Sequence, residues 1–375
     1  MTVSHRPTQA NPLVRLGQLG QSPWYDYITR DLVTSGELAR LIAEDGLRGM
    51  TSNPTIFEKA IAGSRLYDAE IHGLTEAGQG AQQVFEHLAV ADVQAACDAF
   101  AGVYRASGGV DGLVSLEVSP TLAGDTAATI HEAERLWRSL DRPNAMIKIP
   151  GTAEGLPAVT HCIAAGISVN VTLLFSVERY AEVIEAFVAG LERRLAAGES
   201  LGQVASVASF FVSRVDGKVD PLLDRLGDPH GLRGRIAIAN ACAAYRLFER
   251  SLGMPRWERL ARAGARPQRP LWASTSTKDP RYPDVYYVEA LVAPRTVNTL
   301  PPETFAAYRD HGRPAVRIEQ GMAAAPGQLE VLAGLGIDLA AITRELEADG
   351  VAKFAASYAS LLAGIDAKAD ALVGR

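Results

Sequence analysis

One rhythm constrains this chain more than any other feature. Short apolar runs rich in β-branched residues alternate with longer segments of helical period. Eight such runs read as strands: Trp24–Ile28, Gly49–Ser52, Gly112–Val118, Ala145–Ile149, Ile167–Leu173, Val204–Val212, Leu271–Ala273 and Val285–Leu291. Strands separated by helices imply parallel βαβ units, because a parallel crossover needs a dozen or more residues. Eight of them predict an α/β fold closed into a (β/α)8 TIM barrel. The competing doubly wound sheet lacks its fingerprint: no Gly-x-Gly-x-x-Gly turn follows the first strand, and no Walker loop occurs.

Length fits that reading. Barrels of this kind run from roughly 200 to over 400 residues as one domain, so the expectation is a single domain over 1–375. Residues 1–20 read as an N-terminal extension without the apolar core of a signal peptide. The tail, 337–375, reads as a helical segment that folds over the barrel. Ser176–Ala197 carries apolar residues at helical spacing. Thr34-Ser35-Gly36-Glu37 reads as a helix start capped by its hydroxyls, and Gly227–Gly234 separates two helical stretches.

Composition narrows the partners. The formal net charge is −6 and no basic block carries interleaved aromatics, which speaks against nucleic acid. No apolar run reaches the length of a membrane span. Cys97, Cys162 and Cys242 are odd in number, widely spaced and free of CxxC pairing, which points to a reducing, cytoplasmic setting. No His pair has metal-ligand spacing, so neither a metal nor another cofactor is expected. A monomer and a homodimer fit the sequence equally well.

In a barrel, the C-terminal ends of the strands converge on one mouth. The polar residues expected there form a chemical set. Lys148 stands between Ile147 and Ile149, so its side chain points away from theirs and into the barrel. Burial disfavours an ammonium ion, and a neutral amine can attack a carbonyl to form an imine. An iminium is an electron sink for breaking an adjacent C–C bond. The plain alternative is a structural ion pair of Lys148 with Asp26 or Glu117. Those two carboxylates also suit the proton transfers that imine chemistry needs. Asn53, Asn170 and Ser209 can bind substrate hydroxyls, although Asn53 before Pro54 equally suits a turn. Thr172 can orient a water or be an ordinary strand residue. Phe211 reads as core more readily than as site. Arg214 and Lys278 can hold a phosphate, against the default of solvated surface charges.

These segments resemble the transaldolase family in its longer bacterial form. Thr51-Ser52-Asn53-Pro54-Thr55-Ile56-Phe57 is similar to its second-strand signature. Ile147-Lys148-Ile149-Pro150 followed by Gly155 resembles its Schiff-base lysine motif. Asn170-Val171-Thr172-Leu173-Leu174-Phe175-Ser176, Ser209-Phe210-Phe211-Val212-Ser213-Arg214 and Trp272-Ala273-Ser274-Thr275 continue the series in order. The resemblance spans Trp24 to Thr304. It implies a metal-independent transferase of the pentose phosphate pathway that carries a dihydroxyacetone unit from sedoheptulose 7-phosphate or fructose 6-phosphate. The acceptors it implies are glyceraldehyde 3-phosphate and erythrose 4-phosphate. It also implies roles: Lys148 forms the imine, Asp26 acts as acid/base in C–C cleavage, and Glu117 works with a water held by Thr172. Asn53, Asn170 and Ser209 hold the dihydroxyacetone unit, Phe211 lines it, and Arg214 binds phosphate. Shorter relatives have an Arg after the seventh strand where this chain has Ser276-Thr277-Lys278, so that role passes to Lys278. The rival readings are a class I aldolase on a sugar phosphate and a non-catalytic sugar-phosphate-binding barrel.

Overall fold

A computed structural model describes residues 11–373. Eight strands lie in sequence order around a closed barrel. They are β1 (Gln21–Asp26), β2 (Gly49–Thr51), β3 (Leu113–Glu117), β4 (Ala145–Pro150), β5 (Val169–Leu174), β6 (Ser206–Phe211), β7 (Arg269–Ala273) and β8 (Thr296–Leu300). Every adjacent pair is parallel, including β1 with β8, which closes the ring. The barrel strands are almost entirely buried, as expected where helices cover the outside of a parallel sheet.

An ion pair lies at the N-terminal end of the barrel. Arg269 opens β7 and donates to Ser22 Oγ at 2.9 Å and to Asp111 Oδ1 at 2.9 Å. A charged side chain tolerates such burial only when paired in this way. The opposite end is the mouth, crossed by the long C-terminal helix Leu339–Val373. Part of the proposed N-terminal extension is ordered: Pro12–Gln18 is a helix capped by the Asn11 side chain, and residues 1–10 lie outside the described residues.

Seven of the eight strand readings coincide with observed strands to within a few residues. The eighth does not. Val285–Leu291 contains the short helix Tyr286–Ala290, and the eighth strand is Thr296–Leu300. The residue types explain the misreading. Val285, Tyr286, Tyr287 and Val288 are good strand formers, yet Tyr287 and Val288 are buried here on a helix, and the Tyr287 hydroxyl donates to Asp216. The true strand looks like a loop because Thr296, Asn298 and Thr299 are polar. Each is nonetheless buried and bonded within the protein: Thr296 Oγ1 to Ala293 O, Asn298 Oδ1 to Thr275 Oγ1 and Thr299 Oγ1 to Thr51 Oγ1.

The cap read at Thr34-Ser35-Gly36-Glu37 is also corrected. Thr34 ends a short helix, Arg30–Thr34, and its hydroxyl donates back to Arg30 O at 3.0 Å. The next helix, Glu37–Glu44, starts from Gly36 at φ 84°, a left-handed turn, and of the two hydroxyls it is Ser35 that accepts from the helix, from Glu37 N at 3.4 Å. Elsewhere Ser176 caps the helix Val177–Ala196 through its hydroxyl, and Gly227–Gly234 lies between the helices Ser213–Arg225 and Ile236–Leu252. Among the described residues no single helix is long and apolar enough to cross a membrane.

Candidate active site

Strand register assembles the site. Glu117 on β3, Lys148 on β4 and Asn170 on β5 are direct lateral partners. Partners in register point to the same face, so all three side chains enter the barrel together, while Ile147 and Ile149 point outward. On the other side of the ring, Asp26 on β1 pairs with Thr51 on β2. Ser209 and Phe211 sit two apart on β6 and share its inner face.

Lys148 is 4% exposed. Its Nζ donates to Ser52 O at 3.0 Å and lies 3.1 Å from Glu117 Oε2. The ion pair that the sequence offered as a plain alternative therefore exists, with Glu117 as the partner. It is an incomplete pair. Neither Glu117 oxygen makes a well-directed hydrogen bond among the described residues, so the contact with Lys148 is mainly Coulombic. Burial pushes the Glu117 carboxyl above the usual carboxylate range, and the Lys148 charge opposes that rise. The Thr172 hydroxyl, also buried, has no protein partner among the described residues. Buried polar atoms are usually satisfied, and such exceptions concentrate at functional sites.

Asp26 is held differently. Its Oδ1 accepts from Thr51 Oγ1 at 2.7 Å, and Thr51 Oγ1 is 2.6 Å from Thr299 Oγ1. A hydroxyl has one proton, so Thr51 donates to Asp26 and Thr299 donates to Thr51. Burial raises the Asp26 carboxyl as well, against the pull of Lys148, the Thr51 bond and Arg214. Two carboxyls with raised proton affinity beside one amine form a set suited to proton exchange with a bound substrate.

The amides and hydroxyls form a second layer. Ser209 Oγ donates to Asn170 Oδ1 at 2.7 Å, and Asn170 Nδ2 donates to Ser115 Oγ at 3.1 Å. Asn53 lines the mouth, yet its Oδ1 caps the helix Pro54–Ala62 by accepting from Ile56 N at 3.1 Å, the turn role the sequence had offered as its alternative.

The mouth opens into a cavity of about 1290 Å³. Asp26, Lys148, Thr172, Ser209, Phe211, Arg214 and Lys278 all line it. Phe211 is buried, stacks at a tilt on Phe175 with centroids 5.2 Å apart, and carries the Arg214 guanidinium 5.0 Å above its ring. Burial lowers the proton affinity of Arg214, and Asp26 opposes that. Lys278 is exposed. Neither cation has an ion-pair partner among the described residues, in contrast to Arg233 nearby, which is held by Asp224 and Asp279.

Some contributors escaped the sequence reading. Thr51 and Thr299, the two hydroxyls behind Asp26, look like ordinary strand threonines. Ser115 is masked in the same way. Phe354 arrives from the C-terminal helix with its ring 5.5 Å from Lys148 Nζ. It stands on a helical apolar stripe, and no local signal separates it from core. Among the described residues no group of three or more His, Cys, Asp or Glu could hold a metal ion.

A closed parallel barrel with a buried amine, a buried carboxyl and a half-buried one at the C-terminal ends of its strands defines a class, the (β/α)8-barrel enzymes that carry their chemistry at strand ends. The particular family follows from comparison with known proteins. The sequence profile described as transaldolase/fructose-6-phosphate aldolase matches residues 23–365. A protein named transaldolase from Acidothermus cellulolyticus is 51% identical over 359 residues, covering 95% of this chain and 96% of its own. One of the same name from Parafrankia sp. is 50% identical over 356 residues, covering 94% and 96%. Transaldolase 1 of Streptomyces coelicolor is 48% identical over 375 residues, covering 99% and 98%. The chain belongs to the transaldolase/fructose-6-phosphate aldolase family and is an enzyme of that family.

Proposed function

We propose that this enzyme is a transaldolase that moves a dihydroxyacetone unit between sugar phosphates through an imine on Lys148. The observation that carries the reading is the placement of Lys148, buried at the mouth between Glu117 and the aromatic ring of Phe354. A ketose phosphate enters carbonyl first. The Lys148 amine adds to its C2 carbon, and loss of water gives the iminium. Glu117 and the Thr172 hydroxyl are both buried and lack directed partners, a donor–acceptor set suited to a bridging water that carries the protons of dehydration. Asp26 takes the proton of the C4 hydroxyl as the C3–C4 bond breaks, and the electron pair moves into the iminium. The departing aldose phosphate leaves through the open side of the cavity. The enamine then attacks the aldehyde carbon of the acceptor, Asp26 returns the proton to its oxygen, and hydrolysis frees the product.

Ser209 lines the cavity and is the group suited to meet a hydroxyl of the three-carbon unit, with Asn170 behind it, bonded to Ser209 and Ser115 beside Lys148. Arg214 and Lys278, unpaired at the outer cavity, are placed for the phosphate. The test is transfer itself. Supplied with fructose 6-phosphate and erythrose 4-phosphate, the enzyme forms glyceraldehyde 3-phosphate and sedoheptulose 7-phosphate in equal amounts. Release of free dihydroxyacetone in place of sedoheptulose 7-phosphate identifies a simple aldolase and refutes the transferase reading.

A further inference from the structure

The C-terminal helix reaches the site from the far end of the chain. Its buried stripe, Leu346, Phe354, Tyr358, Leu361 and Ile365, repeats at helical spacing. Leu346 and Phe354 line the mouth cavity itself. The Phe354 ring is 6% exposed and lies 5.5 Å from Lys148 Nζ, within the range at which an aromatic face attracts a cation.

The position of that ring is fixed from several directions. Gly350, one turn before Phe354, packs against Leu173, and a Cβ at Gly350 would come within 3.0 Å of Leu173 Cδ2. Leu173 is the residue after Thr172, in a left-handed conformation at φ 62°, where the register of β5 with β6 shifts. Past Phe354, Tyr358 meets Phe85 edge-on at 5.7 Å, and Phe85 meets Phe57 at 5.4 Å. The helix is also tied along its length by Lys368 to Asp68 at 2.8 Å, Asp349 to Lys218 at 3.2 Å and Glu347 to Arg179 at 3.2 Å. This is a strap across one side of the mouth, and the side with Arg214 and Lys278 stays open.

We propose that Phe354 is a specificity-determining residue that favours transfer over release, an inference resting on the transaldolase reading. After cleavage the three-carbon unit is an enamine with two fates. In transfer, its nucleophilic carbon bonds to the acceptor aldehyde carbon, the aldehyde oxygen takes a proton, and the nitrogen returns to iminium. In release, the same carbon takes a proton from water, and the hydroxide left behind adds to the iminium carbon. The C–N bond then breaks, giving free dihydroxyacetone and the Lys148 amine, with one water consumed. Phe354 offers neither proton nor hydrogen bond on the side it covers, so it keeps water, the proton source of release, from the enamine carbon, while the water that hydrolyses the iminium in either route comes from the side of Glu117 and Thr172. Its ring face also attracts the iminium cation. The acceptor enters from the open side and meets no such wall.

The experiment measures a partition ratio. With fructose 6-phosphate, the rate of dihydroxyacetone release without acceptor is divided by the rate of transfer to erythrose 4-phosphate. In Phe354→Ala this ratio rises about tenfold or more, the equivalent of a modest change in one barrier. Phe354→Leu keeps apolar bulk and folding but shortens the wall, and it raises the ratio by a smaller factor. A ring that only filled space would slow both rates together and leave the ratio unchanged. An unchanged ratio in folded Phe354→Leu overturns the inference. If the wild-type enzyme itself gives no adduct on Lys148 after borohydride, the transaldolase reading fails instead, so the two failures are distinguishable.

Discussion

At the residue scale, burial governs how tightly each mouth carboxyl holds its proton. Asp26 is inside the mouth with one hydrogen bond, from Thr51, and a raised proton affinity. As the acid/base in cleavage it should contribute about 10²–10⁴-fold to turnover. Asp26→Ala is expected to keep forming the imine while cleaving it slower by that order, measured as single-turnover adduct formation against steady-state kcat. Near-normal turnover would remove Asp26 from the mechanism. Arg214 answers to a different measurement. A charge-assisted bond to phosphate is worth roughly 1.5–3 kcal/mol. Arg214→Ala should therefore lower the ratio of kcat/KM for fructose 6-phosphate to that for fructose by about one to two decades. An unchanged ratio would make Arg214 an ordinary mouth cation and leave the imine chemistry untouched. Lys148, Asp26 and Glu117 were legible in the sequence because a charge in an apolar strand run is conspicuous. Thr51 and Thr299 were not, because a strand threonine is ordinary until a carboxylate is found beside it.

At the scale of elements, the helix Ser213–Arg225 is locked to its neighbours by buried carboxyls. Asp216 accepts from Ala237 N at 2.7 Å and from the Tyr287 hydroxyl at 2.9 Å. Asp220 accepts from Gly234 N at 2.9 Å and from the Tyr282 hydroxyl at 2.7 Å. These bonds join that helix, which carries Arg214, to Ile236–Leu252 and to the segment after β7. Burial raises the Asp216 carboxyl to about 7. A carboxyl with a folded value above its unfolded one binds protons more tightly in the native state. Its contribution is complete below its ordinary value and is lost as pH rises through the folded value, a difference of roughly 4 kcal/mol at most. Wild-type Tm should therefore fall more between pH 4 and pH 8 than that of Asp216→Asn, which keeps an acceptor and cannot ionise. Parallel Tm curves for the two proteins would contradict the lock. The same segment marks where element reading failed. Val285–Leu291 has strand residue types but holds the short helix Tyr286–Ala290, with Tyr287 and Val288 buried, and the polar run Thr296–Leu300 fills the strand position because its side chains find partners inside.

At the scale of the whole molecule, an acidic chain sets several cations that have no ion-pair partner among the described residues around the mouth, where the proposed sugar phosphate would arrive. The net charge is −6, yet Lys59, Arg214, Lys278 and Lys353 all line one cavity. The eight-strand rhythm made the barrel legible, since strand and helix periods are local. The strap was half legible: the tail read as helical, but nothing local says that residue 354 returns to residue 148 across the mouth. This convergence would make Lys148 the covalent nucleophile. Its most direct test is borohydride reduction of the enzyme with fructose 6-phosphate, followed by peptide mass mapping. The expected result is a dihydroxyacetone-derived adduct on the peptide carrying Lys148, with adduct and transfer activity both absent from a folded Lys148→Met protein. An adduct on another lysine, or transfer activity retained by Lys148→Met, would contradict it.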